Sequence, residues 1–107
     1  MTEAERIAEA IIGLDKTLHE KVRLAIVTIL FHTGKKDFNS LLKIIKTSEG
    51  NMATHLKALE NEGYLKVRKR FVGRKPQTLY ELTEKGKKAY REYLKKLAEA
   101  LKMTGKG

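Results

Sequence analysis

The chain has 107 residues, 41% hydrophobic and 34% charged, which suits one folded soluble domain with a modest core and does not suit a disordered chain. It contains no cysteine, which removes disulfides, thiol redox chemistry and every thiolate metal site. The formal net charge of +10 calls for an anionic partner.

Residues 1 to 20 set Arg6 and Lys16 against Glu3, Glu5, Glu9, Asp15 and Glu20, so the positive excess lies downstream. A cationic body beside an acidic end turns one surface toward a polyanion; a solvated lysine-rich surface is the plainer alternative. Ala4, Ile7, Ala8, Ile11 and Ile12 share one helical face, with Thr2 placed to cap the helix and Gly13 to end it. This acidic, helical start does not have the pattern of a signal peptide. The longest apolar run, Leu24 to Phe31, falls far short of the roughly 20 residues a bilayer span needs, so no membrane is expected and the location is read as cytoplasmic.

A second helix is expected from about His19 to His32. Val22, Ala25, Ile26, Ile29 and Leu30 make it apolar on most sides, and Thr33-Gly34 closes it. "DFNSLLKIIK" follows as a helix of barely two turns, capped by Asn39 or Ser40, with Phe38 as a staple. After a turn around Lys46 to Ser48, Met52, Leu56 and Leu59 define the buried side of a longer helix that ends near Gly63. A turn this short makes the two helices cross steeply.

Leu65 to Phe71 and Thr78 to Leu82 read as two strands, with Gly73 and Pro76 marking the turn. The hairpin carries Lys66, Arg68, Lys69, Arg70, Arg74 and Lys75 and no acidic residue among them. Thr83 then caps a final helix whose Tyr90, Leu94, Leu97 and Leu101 are spaced four, three, four, as in a coiled-coil seam. The segments divide as an N-terminal helix over 1–14, a core over 15–83, a C-terminal helix over 84–103 and a frayed tail over 104–107, all in one domain.

Helix, short helix, tight turn, helix, hairpin, helix is the element order of a winged helix-turn-helix, a mainly α fold with a small β-hairpin (α+β). The run "TSEGNMATHLKALENEGYLKVRKRFVGRKPQTLYELTEKG" resembles the recognition helix, wing and last-helix start of winged-helix regulators of the MarR and ArsR type, and looks most like small archaeal DNA-binding regulators. The resemblance spans about residues 16 to 90. It implies a dimeric transcription factor, with N- and C-terminal dimerisation helices, that takes double-stranded DNA as its partner.

In the helix read as entering the major groove, the 100° step places Gly50, Thr54, Lys57 and Asn61 opposite the buried side, flanked by Asn51, His55 and Ala58. Glu49, Asn51, Thr54 and His55 are the candidates for base edges and Lys57 for phosphate, while Gly50 lets the backbone approach closely. Asn51 can pair with adenine and Glu49 can accept from cytosine; each can equally be an ordinary exposed helix residue. In the wing, Lys66, Arg68 and Arg70 share a face and Lys69 lies on the other; Arg74 and Lys75 at the tip are placed for a minor groove or its phosphates. A charged edge that blocks strand-to-strand aggregation is the competing account.

Ile7, Ile11, Tyr90, Leu94, Leu97 and Leu101 are expected to pack against a second copy, which would set half-sites about 10 base pairs apart or a multiple of that. Alternatively, the last helix folds back on its own core. His19, His32 and His55 are isolated, no P-loop or nucleophile elbow is present, and neither enzyme activity nor a cofactor is expected. No small-molecule effector is assigned. Two other functions remain open: sequence-indifferent coating of DNA, and a protein-interaction module whose basic face is incidental.

Overall fold

Thr2 starts the first helix by reciprocal hydrogen bonding. Its hydroxyl oxygen accepts from the Glu5 N–H at 3.1 Å, and the Glu5 carboxylate accepts from the Thr2 N–H at 2.9 Å. In the computed structural model, which describes residues 1–105, this box opens α1 (Glu3–Ile12). The second helix, α2 (Lys21–Thr33), begins two residues later than its apolar pattern suggests. The Asp15 carboxylate accepts from the Thr17 N–H at 2.8 Å and the Leu18 N–H at 3.0 Å, which holds the preceding segment in a turn. Glu20 then caps α2 through the Arg23 N–H at 2.8 Å.

Asp37, not Asn39 or Ser40, is the N-cap of α3 (Phe38–Ile45). The Ser40 hydroxyl instead donates to the Asp37 carboxylate, a bond that holds this carboxyl below its ordinary pKa. Ser48 caps α4 (Glu49–Asn61) by accepting from the Asn51 N–H at 3.1 Å. Lys46, between α3 and α4, takes a left-handed φ of 59°, which lets the chain turn sharply.

The sheet has one strand more than the hairpin. β1 (Lys36–Asp37) pairs with β3 (Lys75–Leu82), which pairs with β2 (Leu65–Val72), giving the antiparallel order β1-β3-β2. Both hairpin strands extend further toward the tip than their residue pattern indicates, because Val72 pairs with Lys75 and leaves a loop of only Gly73 and Arg74. Gly73 has φ +65° and Arg74 a negative φ, the glycine-first arrangement of a type II′ turn.

Thr83 joins the wing to α5 (Glu84–Thr104). Its hydroxyl donates to the Gly63 carbonyl at 2.7 Å and accepts from the Gly86 N–H at 3.0 Å. Of the tail expected to fray over residues 104–107, Thr104 is helical and Gly105 donates to the Leu101 carbonyl at 2.8 Å, while 106–107 lie outside the described residues.

Leu18, Ile26, Val27, Leu41, Met52, Leu56 and Leu59 fill the centre, where α2, α3 and α4 meet the base of the hairpin. The shape is elongated at 61 × 26 × 23 Å. Its radius of gyration of 16.3 Å exceeds the about 13 Å of a compact chain of this length. α1 is amphipathic, yet none of its residues is buried. Among the described residues no helix is long and apolar enough to cross a membrane.

Candidate nucleic-acid interface

Burying Met52, Leu56 and Leu59 against the core turns the opposite side of α4 outward. Gly50, Thr54 and Lys57 are exposed on that side, Asn51 is exposed at its flank, and Glu49 is exposed at the start of the helix. Their polar groups are held by local partners: the Asn51 amide donates to the Thr47 hydroxyl at 2.7 Å, Thr54 donates to the Gly50 carbonyl at 2.9 Å, and Lys57 lies 3.5 Å from Glu60. Such exposed, short-range bonds are readily exchanged for an external partner.

His55 does not belong to this face. Its ring is only 15% exposed, with Nδ1 3.1 Å from the Arg23 guanidinium and 3.6 Å from the Glu20 carboxylate. Arg23 is itself fixed, donating from Nε to the Thr17 carbonyl at 2.6 Å. Burial pushes the Glu20 carboxyl up, but the Arg23 N–H bond and the charges of His55 and Arg23 outweigh it and leave the group below its ordinary pKa. His55 thus ties α4 to the start of α2.

Two cations that periodicity did not single out stand beside the start of α4. Lys21 and Lys46 line a shallow cleft with Val22, Ile45, Thr47 and Asn51. Lys21 opens α2 and Lys46 is the left-handed residue between α3 and α4; only the meeting of two helix ends brings them to Asn51. The one sequence signal was lysine in a three-residue inter-helix turn.

The wing adds its charges on two faces. Cross-strand register puts Lys66 opposite Glu81, Arg68 opposite Leu79 and Arg70 opposite Gln77 on one face, and Lys69 opposite Thr78 on the other. Lys66 approaches Glu81 at 3.9 Å, so it has a counter-charge outside the run of residues that read as uniformly basic. Arg70 donates from Nε to the Gln77 amide oxygen at 2.7 Å, which holds its guanidinium along the strand. Arg68, Lys69, Arg70, Arg74 and Lys75 carry no ion pair among the described residues. No group of His, Asp or Glu among those residues could hold a metal ion.

The base of the wing is fastened from the inside. The Tyr64 hydroxyl donates to Asp15 at 2.5 Å, and burial together with that bond pushes the hydroxyl far above the ordinary tyrosine pKa. His19 Nδ1 meets the Tyr93 hydroxyl at 2.8 Å, so the segment between α1 and α2 is bonded to both the wing base and α5.

Along α5 the apolar stripe divides. Tyr90 is only 3% exposed in the single chain and packs on Phe31 in the core, with ring centroids 4.8 Å apart. Leu97 and Ile7 are half-buried, whereas Ile11, Leu94 and Leu101 are exposed, Leu94 by 43%. A cavity of about 490 Å³ lies between α1 and α5, lined by Arg6, Glu9, Lys96, Glu99 and Met103 among others.

Comparison with known proteins matches residues 22–101 to the family described as winged helix DNA-binding domain. A transcriptional regulator homologue of Pyrococcus horikoshii has a similar structure, with a TM-score of 0.78 and 27% identity over 95% of this chain and 96% of that one. An uncharacterized protein of Methanocaldococcus jannaschii is 28% identical over 87 residues, 81% of this chain and 95% of the relative. The fold is shared with BpsR of Bordetella bronchiseptica, whose DNA binding is regulated by 6-hydroxynicotinic acid; the TM-score is 0.69 and the identity 14%, over 98% of this chain and 80% of that one.

Proposed function

The chain belongs to the winged helix DNA-binding domain family and has the architecture of MarR-type transcriptional regulators, and from that premise we propose that it recognises specific double-stranded DNA sites as a homodimer and so regulates transcription. The observation that supports this most directly is the exposed polar face of α4 lying in the same chain as a protruding hairpin with five cations that carry no ion pair among the described residues. An α-helix fits the major groove, and a cationic ribbon beside it can track the backbone and release counterions.

In this reading Asn51 pairs with adenine, Glu49 accepts from cytosine, Thr54 donates or touches a thymine methyl, and Gly50 lets the backbone come close. Lys57, with Lys21 and Lys46, takes phosphates. Lys66, Arg68, Lys69, Arg70, Arg74 and Lys75 serve the backbone and the minor groove, with Lys66 weakened by Glu81. Titration against selected and scrambled duplexes at ~150 mM salt is expected to show at least ~10³-fold discrimination. Equal affinity for all sequences, with a salt-sensitive ladder of complexes and no discrete footprint, would leave DNA coating as the function.

The homodimer reading is supported by surface that one chain leaves uncovered. α1 buries none of its residues, and Ile11 on it and Leu94 and Leu101 on α5 stay exposed, an arrangement a second copy related by two-fold symmetry can cover. Selection of bound DNA should then return approximate palindromes with half-sites about 10 base pairs apart or a multiple. Leu94→Glu places a charge in that seam and should weaken the dimer at least ~100-fold, about 3 kcal/mol. Sedimentation checks this: a wild-type chain that is already monomeric at working concentration removes the two-fold assembly.

A further inference from the structure

The wing runs out of core before it runs out of apolar residues. Leu65 is buried and Val67 half-buried on one face of β2, yet further along that face Phe71 is 74% exposed. Val72, on the opposite face, is 54% exposed, and Pro76, directly across from Phe71, is exposed as well. Next to a two-residue turn the Val72–Lys75 pair exchanges hydrogen bonds, which makes Phe71–Pro76 a pair without them. In such a pair side chains come closest, and the missing proline N–H points away from the ladder at no cost.

A single exposed apolar side chain needs no explanation. Here Phe71 and Pro76 stand together on one face of a hairpin's end, with Val72 on the other, among Arg70, Arg74 and Lys75 and with no carboxylate in the sequence from Leu65 to Tyr80. These charges choose the occupant. A second copy docking tip to tip would bring cations against cations, whereas a duplex offers phosphates to the arginines and, between its phosphate rows, a groove with an apolar stacked interior.

We propose, on the basis of the DNA-binding reading above, that Phe71 backed by Pro76 is an apolar wedge that enters the minor groove beside each half-site and partly unstacks one base step. Arg70, Arg74 and Lys75 hold the phosphates on either side. Wedges of this kind kink the duplex by roughly 20–90°. The energy of the kink depends on the step being opened, so TA and CA/TG steps are favoured at that flank although no hydrogen bond reads them. The wing then contributes sequence selectivity as well as charge.

The test places 2-aminopurine at successive steps across the flank of a selected operator and measures its fluorescence together with end-to-end energy transfer as a report of bending. Wild-type protein is expected to raise the fluorescence at one step per flank and to bend the duplex. Phe71→Ala should abolish the rise, reduce the bend and weaken binding roughly tenfold, while Phe71→Leu keeps part of each. Arg74→Ala should keep the fluorescence rise but lower the salt slope by about one. Phe71 is exposed, so both variants should melt like the parent. Unchanged fluorescence in Phe71→Ala overturns the wedge, whether or not affinity falls. A shift in self-association without DNA would assign the tip to a second copy and overturn it equally. A wild-type chain that binds no duplex refutes the DNA-binding reading itself, and the wedge with it.

Discussion

Replacing Arg68, Arg70 and Arg74 together by glutamate is expected to raise the dissociation constant for any duplex by at least ~10³-fold at ~150 mM salt. Each phosphate contact contributes about 0.9 to the slope of log affinity against log salt, so three lost contacts remove roughly two decades and reduce the slope by about three. Repulsion between the new carboxylates and the neighbouring phosphates adds at least about one decade more. None of the three arginines is buried or ion-paired among the described residues, and only Arg70 gives up a side-chain bond, to Gln77, so the melting temperature should stay close to the parent's. Salt titrations of both proteins on one duplex check the prediction. A variant that retains its cellular function alongside a parent with no measurable DNA affinity would make this a protein-interaction module with incidental charge.

The second large effect is on stability and involves one missing methyl group. Gly86 lies in the first turn of α5, where the Tyr64 backbone passes so closely that a Cβ on residue 86 would stand 2.4 Å from the Tyr64 carbonyl oxygen. Real Cβ contacts do not come so near, and the obstacle is backbone that is itself committed: that carbonyl accepts the Thr83 N–H at 3.0 Å. In an open helix Gly→Ala gains about 1 kcal/mol. Here the clash dominates, and Gly86→Ala should cost about 2–4 kcal/mol, lowering the melting temperature by roughly 10–20 °C. Thermal unfolding by circular dichroism measures it, and a variant as stable as the parent would mean that α5 can slide away from the wing base. The same contact gives a physical reason for the glycine in "LTEKG": Thr83 caps the helix, and the residue three positions on must let the Tyr64 backbone through.

Much of the fold was legible because its signals are local. Thr2 and Thr83 each cap a helix through an N–H three residues ahead, and Gly73 with Pro76, after a basic strand, marks the hairpin turn. Met52, Leu56 and Leu59 repeat at helical spacing, which is enough to tell which side of α4 faces out. β1 was not legible, since two residues cannot display an alternation and Lys36–Asp37 is a strand only because β3 lies beside it. The start of α2 was misread for a related reason: apolar spacing cannot report that Asp15 holds the preceding turn.

The candidate site shows the same division. Exposure of Gly50, Thr54 and Lys57 follows from periodicity, and that of Glu49 from its place at the start of the helix, but the tie that holds His55 depends on Arg23, 32 residues away. Tyr90 continues the apolar stripe of α5 by spacing and leaves it by contact, because Phe31 supplies a partner within the same chain. Lys21 and Lys46 reach Asn51 only once two helix ends meet.

By itself, then, the sequence determined the order of helices and hairpin, the cationic wing and the outward side of α4, because caps, turns and amphipathic repeats act over one to four residues and need no distant partner. Only the tertiary structure decided which apolar residues stay uncovered, which histidine is locked away and where the wing's apolar tip stands. Those outcomes depend on groups as far apart as His19 and Tyr93, 74 residues along the chain, and such pairs become neighbours only when the packed core sets their distance.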